Sequence, residues 1–522
     1  MTKDLIIGID AGTSVLKAVA FDLGGRQLAV SSKPNSYEER PGGAVEQDMA
    51  RTWTDAALVL RLLAEKLPGL ARRTAALAVT GQGDGTWLID AEGEPVAPAW
   101  LWLDSRAASI VDQLERDGVR QRIFPFTGCG LNACQQNAHL LWLKAHAPDV
   151  LARATTAFHC KDWLYLKLTG ERVTDRSEGT FTFGDFRSRE YADEVLAALG
   201  LEAERRLLPP MLDGTTTTHP LTQAAAETTG LLPGTPVSLG FLDVVCAALG
   251  GGIYDHERRV GFSIAGSTGM HMRFFPDQAV VELAPEPTGY TMPFPVPATV
   301  LQMQSNMAAT LNIDWLTDRV VEAAALFGTA PERMDALRAL DARVLDGRPG
   351  AALYHPYISE AGERGPFVAS DARAMLTGLS SRTGLIDLVR AVYEGLAFAA
   401  RDCYAAMGHA PDEIRIGGGA ARSKSLKRIM ASALGVPVRE SSREEAGAAG
   451  AAMMAAVAIG AYPDMAACAE NWVKPTLGDT VAPDPELRAL YDRLFPVYVQ
   501  TREAMAPQWR TLALARNPVT RP

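Results

Sequence analysis

The sequence predicts an α/β protein of two related domains that face one cleft, and three observations lead there. At 522 residues the chain outgrows a single hydrophobic core and suits two domains of roughly 200 to 250 residues each. Short apolar runs alternate with turns and helical stretches along its whole length, the pattern of a mixed α/β chain. The opening pattern then returns near Gly261. In Leu5-Ile-Ile-Gly-Ile-Asp-Ala-Gly-Thr13 and again in Val260-Gly-Phe-Ser-Ile-Ala-Gly-Ser-Thr268, an apolar strand enters a Gly/Thr turn, and an apolar strand leaves it. About 255 residues separate Thr13 from Thr268, the length of a whole domain. An internal duplication accounts for that interval and sets two related turns against a shared cleft, where their backbone N–H groups can meet a polyphosphate. A chance likeness of two Gly-rich hairpins is the alternative.

Taken in order, residues 5–9, 15–21 and 27–31 read as three strands in an antiparallel meander. A helix is expected from about residue 49 to 63, followed by the apolar run 75–79. The expected domains are 1–254, carrying the first phosphate turn and the substrate side, and 255–480, carrying the nucleotide side, with a helical tail over 481–522. That tail ends in the Pro-containing stretch 517–522, expected to fray. Residues 446–462 are apolar enough to suggest a membrane span, but Gly447, Gly450 and Gly460 interrupt them. Small residues of this kind suit close helix packing inside a protein.

Composition narrows the function classes. A hydrophobic share of 47% and a charged share of 21% describe an ordinary globular enzyme. A net charge of -10 without a long Lys/Arg run argues against nucleic acid, whose phosphates require a basic face. The N-terminus enters its first strand with no separate apolar leader, and the six cysteines are scattered, so a cytoplasmic location with free thiols is expected.

The chemistry is carried by three motifs. No Gly-Lys dipeptide occurs, which removes the P-loop, and no His-Arg-Asp occurs, which removes the protein-kinase catalytic loop. The first motif is Gly8-Ile-Asp10-Ala-Gly12-Thr13-Ser14 with Lys17 beyond it. Asp10 ends a strand where a carboxylate can hold Mg²⁺, and Thr13, Ser14 and Lys17 offer donors to phosphate oxygens, with a plain Asp-Gly hairpin as the alternative. The second is Gly240-Phe-Leu-Asp243, at the start of a small-residue helix. Asp243 is there either a helix N-cap or the ionised carboxylate that phosphoryl transfer needs as base. The third is Gly417-Gly418-Gly419, before a helix beginning near Ser423. Consecutive glycines admit a flat adenine or ribose, and a helix N-terminus favours phosphate, with an ordinary flexible turn as the alternative.

In this order and spacing the motifs resemble the FGGY carbohydrate kinases, over nearly the whole chain. The resemblance implies two actin-like ATPase (ribonuclease-H-like) domains, with ATP and Mg²⁺ as cofactors. It implies Asp10 near the metal, Thr13, Ser14 and Lys17 with Gly266, Ser267, Thr268 and Gly269 at the phosphates, Asp243 as catalytic base, and Gly418, Gly419 and Ser423 around adenosine. Thr310 and Asp314 fall where relatives contact the nucleotide. Substrate recognition is expected mostly in the first domain, at Gln82, Asp84, Trp102, Asp104, Arg106 and Gln135, together with Asp243. Glycerol kinases of the family carry Asn-Gln-Arg-Glu where this chain has Gly81-Gln-Gly-Asp84, so the loss of Arg at Gly83 is expected to open room for a longer polyol. Trp102 as plain core and Asp104 with Arg106 as a structural ion pair are the alternatives.

Four further strings resemble the subgroup of that family acting on erythritol: Gly81-Gln-Gly-Asp-Gly-Thr-Trp87, His159-Cys-Lys-Asp-Trp-Leu-Tyr165, Tyr354 through Gly365, and Ser442 through Gly450. The expected reaction is phosphorylation of erythritol by ATP, with another polyol or a ketose such as xylitol, xylulose or ribulose as the alternative acceptor. An ATP-switched binding protein is the alternative from another class, since actin-like folds also serve in chaperones and filaments. The expected partner is a small polyol, with no nucleic acid and no membrane, and a homodimer is carried as a further expectation.

Overall fold

The computed structural model describes residues 3–408 and 410–516, so the expected fraying of 517–522 lies outside the described residues. Two sheets organise it. The first comprises β1 (Leu5–Ala11), β2 (Val15–Asp22), β3 (Gln27–Pro34), β4 (Thr74–Gly81), β5 (Thr218–Pro220) and β6 (Pro236–Leu239), in the spatial order β5-β6-β4-β1-β2-β3. The second comprises β7 (Val260–Ala265), β8 (Gly269–Phe275), β9 (Tyr290–Pro293), β10 (Val300–Asn306), β11 (Glu413–Gly417), β12 (Val438–Ser441) and β13 (Leu477–Val481), in the order β9-β10-β8-β7-β11-β12-β13.

The same five-stranded core occurs in both. β1 runs antiparallel to β2 and parallel to β4, with β3 antiparallel to β2 and β6 parallel to β4. β7 runs antiparallel to β8 and parallel to β11, with β10 antiparallel to β8 and β12 parallel to β11. Three antiparallel strands followed by two parallel ones is the actin-like, ribonuclease-H-like topology, present twice. Its central strand β1 is apolar without alternation because helices cover both faces of the sheet; Leu5, Ile6, Ile7 and Ile9 are all fully buried.

Two helices cross between the sheets, Asp243–Gly251 from the first domain and Ala446–Ala458 from the second. Their sequences are small-residue runs because their backbones nearly touch. A Cβ on Gly450 would lie 1.9 Å from the Cys246 carbonyl oxygen, and one on Gly8 would lie 2.3 Å from that of Ala448. Helix Ala446–Ala458 thus lies on β1 of the other domain, and ten of its residues are buried. The apolar stretch around residue 450 is therefore an interdomain packing device, and no described helix is long and apolar enough to cross a membrane. The tail forms one helix, Pro485–Arg516, which packs Tyr491 and Tyr498 into the second-domain core.

Candidate active site

The duplicated strand pairs end in two turns that bound the cleft. Residues 12–14 join β1 to β2, and residues 266–268 join β7 to β8. The second turn is locked to the following helix, Thr310–Ala325, by Ala309 N–H donating to Ser267 O at 2.7 Å and Thr310 N–H to Gly266 O at 2.9 Å. Ser14 and Ser267 are exposed at the tips of these turns, and around Gly266 a Cβ would meet nothing closer than 3.6 Å. Gly418 and Gly419 follow β11 on the same side. Gly418 adopts φ +90° against Ala265, and Gly419 faces open space. A small apolar recess of ≈ 30 Å³ lies beside them, lined by Ala265, Gly269, Thr310, Ala420 and Met430.

A cavity of ≈ 190 Å³ opens between the turns, with Thr13, Gln82, Asp84, Trp102 and Asp243 on its first-domain side. Asp243 is the first residue of its helix; Leu242 holds the N-cap position and no side chain makes a cap bond, so the N-cap alternative for Asp243 falls. Burial and then the neighbouring charge of Asp10 push the Asp243 carboxyl up to about 7. Burial likewise pushes Asp10 up to about 6, although Lys17 opposes the shift from the opposite position on β2. Lys17 itself pairs with Glu445 of the second domain at 2.7 Å.

Thr13 does more than face phosphates. Its hydroxyl donates to Gln82 Oε1 at 2.9 Å and accepts from Trp102 Nε1 at 2.6 Å. Gln82 in turn donates to Gln47 at 3.0 Å, so the phosphate turn and the acceptor wall share one hydrogen-bonded chain. Trp102 is therefore a cavity residue and not plain core.

Several expected residues are not brought to this cavity. Asp104 and Arg106 form a structural pair at 2.7 Å; Asp104 also accepts from Val45 N–H, and Arg106 reaches Glu46 and stacks 3.7 Å from the Trp100 ring centroid. Gln135 spends its amide on Gly130 O and Cys129 Sγ and accepts from Asn132 N–H, which shapes the loop beneath Asp84. Asp314 pairs with Arg333, one turn beyond Thr310. Ser423 caps its helix by accepting from Leu426 N–H at 3.0 Å and donates to Asp341 at 2.5 Å. The room expected at Gly83 is also filled, because a Cβ there would lie 1.8 Å from Leu242 Cδ1 and 2.8 Å from Glu178 Oε1.

Recognition is not confined to the first domain. Thr268, Met270, Tyr290, Met303, Ser305 and Arg364 of the second domain line the same cavity. None of these except Thr268 was marked as a site residue by its motif. Arg364 had a signal, as the one cation in the loop string Glu-Ala-Gly-Glu-Arg-Gly365; Tyr290, on an edge strand, had none.

Residues 5–250 match the FGGY family of carbohydrate kinases, N-terminal domain, and residues 261–459 match its C-terminal domain. The chain is 55% identical over 514 residues to the erythritol kinase of Brucella abortus (strain 2308), covering 98% of each chain. Among solved structures, the xylulose kinase from Rhodospirillum rubrum superposes with a TM-score of 0.86 at 27% identity, over 97% of this chain and 100% of that one. The ligand-bound xylulose kinase from Lactobacillus acidophilus gives 0.88 at 22% identity, over 98% and 100%, a likeness of fold. With its duplicated actin-like core, its glycine turns and its match to both family domains, the chain belongs to the FGGY family of carbohydrate kinases and is a phosphotransferase that uses ATP.

Proposed function

We propose that this kinase transfers the γ-phosphoryl group of ATP to a hydroxyl of erythritol, with Asp243 as the base. The observation that carries the transfer is the meeting of Asp243 and Thr268 on opposite sides of one cavity. The near full-length identity to the Brucella abortus enzyme supports the acceptor. Adenosine would lie along Gly418 and Gly419 with the apolar recess beside Thr310, and the phosphates would run between the turns at residues 12–14 and 266–269.

Burial raises the proton affinity of both Asp10 and Asp243, and the charge of Asp10 adds to the rise at Asp243, a setting that suits a divalent cation. Asp10 would hold Mg²⁺ directly or through water, and the bound ion would neutralise charge on the β- and γ-phosphate oxygens. The chain's own residues supply the rest. Gln82, Asp84 and Trp102 orient the acceptor, and Asp243 takes the proton from its hydroxyl as that oxygen bonds to the γ-phosphorus. The bond to the bridging oxygen breaks, and ADP leaves. Closure of the two domains over Asp243 would limit water as a competing acceptor.

A coupled ADP-release assay across erythritol, xylitol, glycerol, xylulose and ribulose tests the acceptor. Erythritol is expected to give the highest kcat/KM. A flat response to erythritol beside turnover of another acceptor removes this assignment.

A further inference from the structure

Two polar groups in the cavity wall each carry a buried atom without a partner, and they come from different domains. Asp84 sits at φ +53°, a left-handed backbone that non-glycine residues adopt uncommonly. Its Oδ2 accepts from the Tyr290 hydroxyl at 3.2 Å and faces the Cys134 thiol at 3.8 Å, whereas its Oδ1 is buried with no hydrogen bond. Opposite stands Arg364. Its guanidinium makes no hydrogen bond or ion pair among the described residues, its Nε is buried and unpartnered, and it lies 5.9 Å from the Trp102 ring centroid.

Arg364 is not a loose side chain that happens to fall inward. Its backbone is tied down on both sides. Glu363 accepts from the N–H groups of Met307 and Arg364, Asn306 donates to Gly365 O at 2.9 Å, and Thr288 donates to Pro366 O at 3.2 Å. Tyr290 is anchored as firmly, by Asn132 donating to its hydroxyl at 3.1 Å and by Gly130 N–H donating to Gly289 O at 3.0 Å. A half-buried cation whose buried Nε is unmet and a half-buried carboxylate whose buried Oδ1 is unmet leave a place for a group that can bond both. A polyol hydroxyl is at once donor and acceptor, and fits that need.

We propose that Arg364 and Asp84 form a clamp across the domain cleft that binds an acceptor hydroxyl other than the one phosphorylated. Asp84 accepts that hydroxyl's proton in a hydrogen bond, and Arg364 donates to its oxygen. The clamp makes acceptor specificity a property of both domains. It rests on the reading of this cavity as the polyol site.

The test compares wild type, Arg364→Met and Arg364→Lys with erythritol and with a deoxy analogue lacking one terminal hydroxyl. For Arg364→Met the acceptor KM is expected to rise about 10- to 100-fold, the range of one lost charged hydrogen bond, while the KM for ATP stays within twofold. The analogue's penalty seen with wild type should largely vanish in that variant, and Arg364→Lys, which keeps charge but not the planar fork, should fall between. An unchanged acceptor KM, or a deoxy penalty equal in wild type and Arg364→Met, overturns the clamp. If Arg364→Met fails to fold, the same comparison on Arg364→Lys decides. If wild type prefers another polyol, the erythritol assignment fails, and the same cycle run on that polyol still decides the clamp.

Discussion

Replacing Asp243 with Asn is expected to lower kcat by about 10²- to 10⁴-fold, the usual contribution of a positioned general base, while ATP still binds. The amide is nearly isosteric, so the helix start and the neighbouring Leu242 contact survive, but it cannot take a proton. The carboxylate it replaces is well tuned for that task. Burial and the charge of Asp10 push it up to about 7, so it is basic enough to accept a proton while about half of it stays ionised near neutrality. The expected loss corresponds to roughly 2.7–5.5 kcal/mol of transition-state stabilisation. Steady-state ADP release with erythritol, paired with an ATP titration, reads both halves. Transfer within threefold of wild type would remove Asp243 as the base. An ATP-switched binding protein has no use for such a group.

The largest stability effect is expected at Lys161. Its ammonium is fully buried and lies 2.9 Å from Asp162 and 2.6 Å from Asp175, both also fully buried. Burial works against that charge, but Asp162, Asp175 and Glu178 outweigh it and hold the ammonium above the usual lysine range. Lys161→Met would strand two carboxylates in the interior, which costs about 3–5 kcal/mol. The damage should reach the active site as well. Asp175 accepts from Ser177 N–H at 2.7 Å, and Ser177 Oγ accepts from Leu242 N–H at 3.1 Å, directly before Asp243. A urea midpoint well below wild type is the expected result. Lys474→Met, at an exposed pair with Glu470, should leave the midpoint where it was. Equal midpoints for the two variants would contradict the account of the cluster.

The contrast between these residues shows what one sequence discloses. Strands β1 to β3 were legible because each is a short apolar run bounded by tight turns, although β1 continues past Ile9 to Ala11. The duplication was legible because its signal is local: a strand, a glycine turn and a strand, repeated. Asp243 was legible for the same reason, as a carboxylate delivered by a strand to a helix start. Arg364 and Tyr290 were not, since the first domain meets them only after the two sheets dock, and no local pattern records which loop faces which. Asp104 and Arg106 misled in the opposite sense. Two charges at that spacing satisfy each other as readily as they meet a ligand, and here Val45, Glu46 and Trp100 complete their needs. Gly83 taught a related lesson: a missing side chain leaves room only if no neighbour fills it, and Leu242 does.

The proposed transfer requires Asp243 to meet the acceptor hydroxyl inside a cleft whose two sides share the polyol. A crystal structure of the Asp243→Asn protein with erythritol and a non-hydrolysable ATP analogue tests it most directly. One erythritol hydroxyl should lie about 2.6–3.2 Å from the residue 243 side chain and in line with the γ-phosphorus. Erythritol bound outside the cavity of Gln82, Asp84, Trp102 and Arg364, or with every hydroxyl beyond hydrogen-bond reach of residue 243, would contradict it.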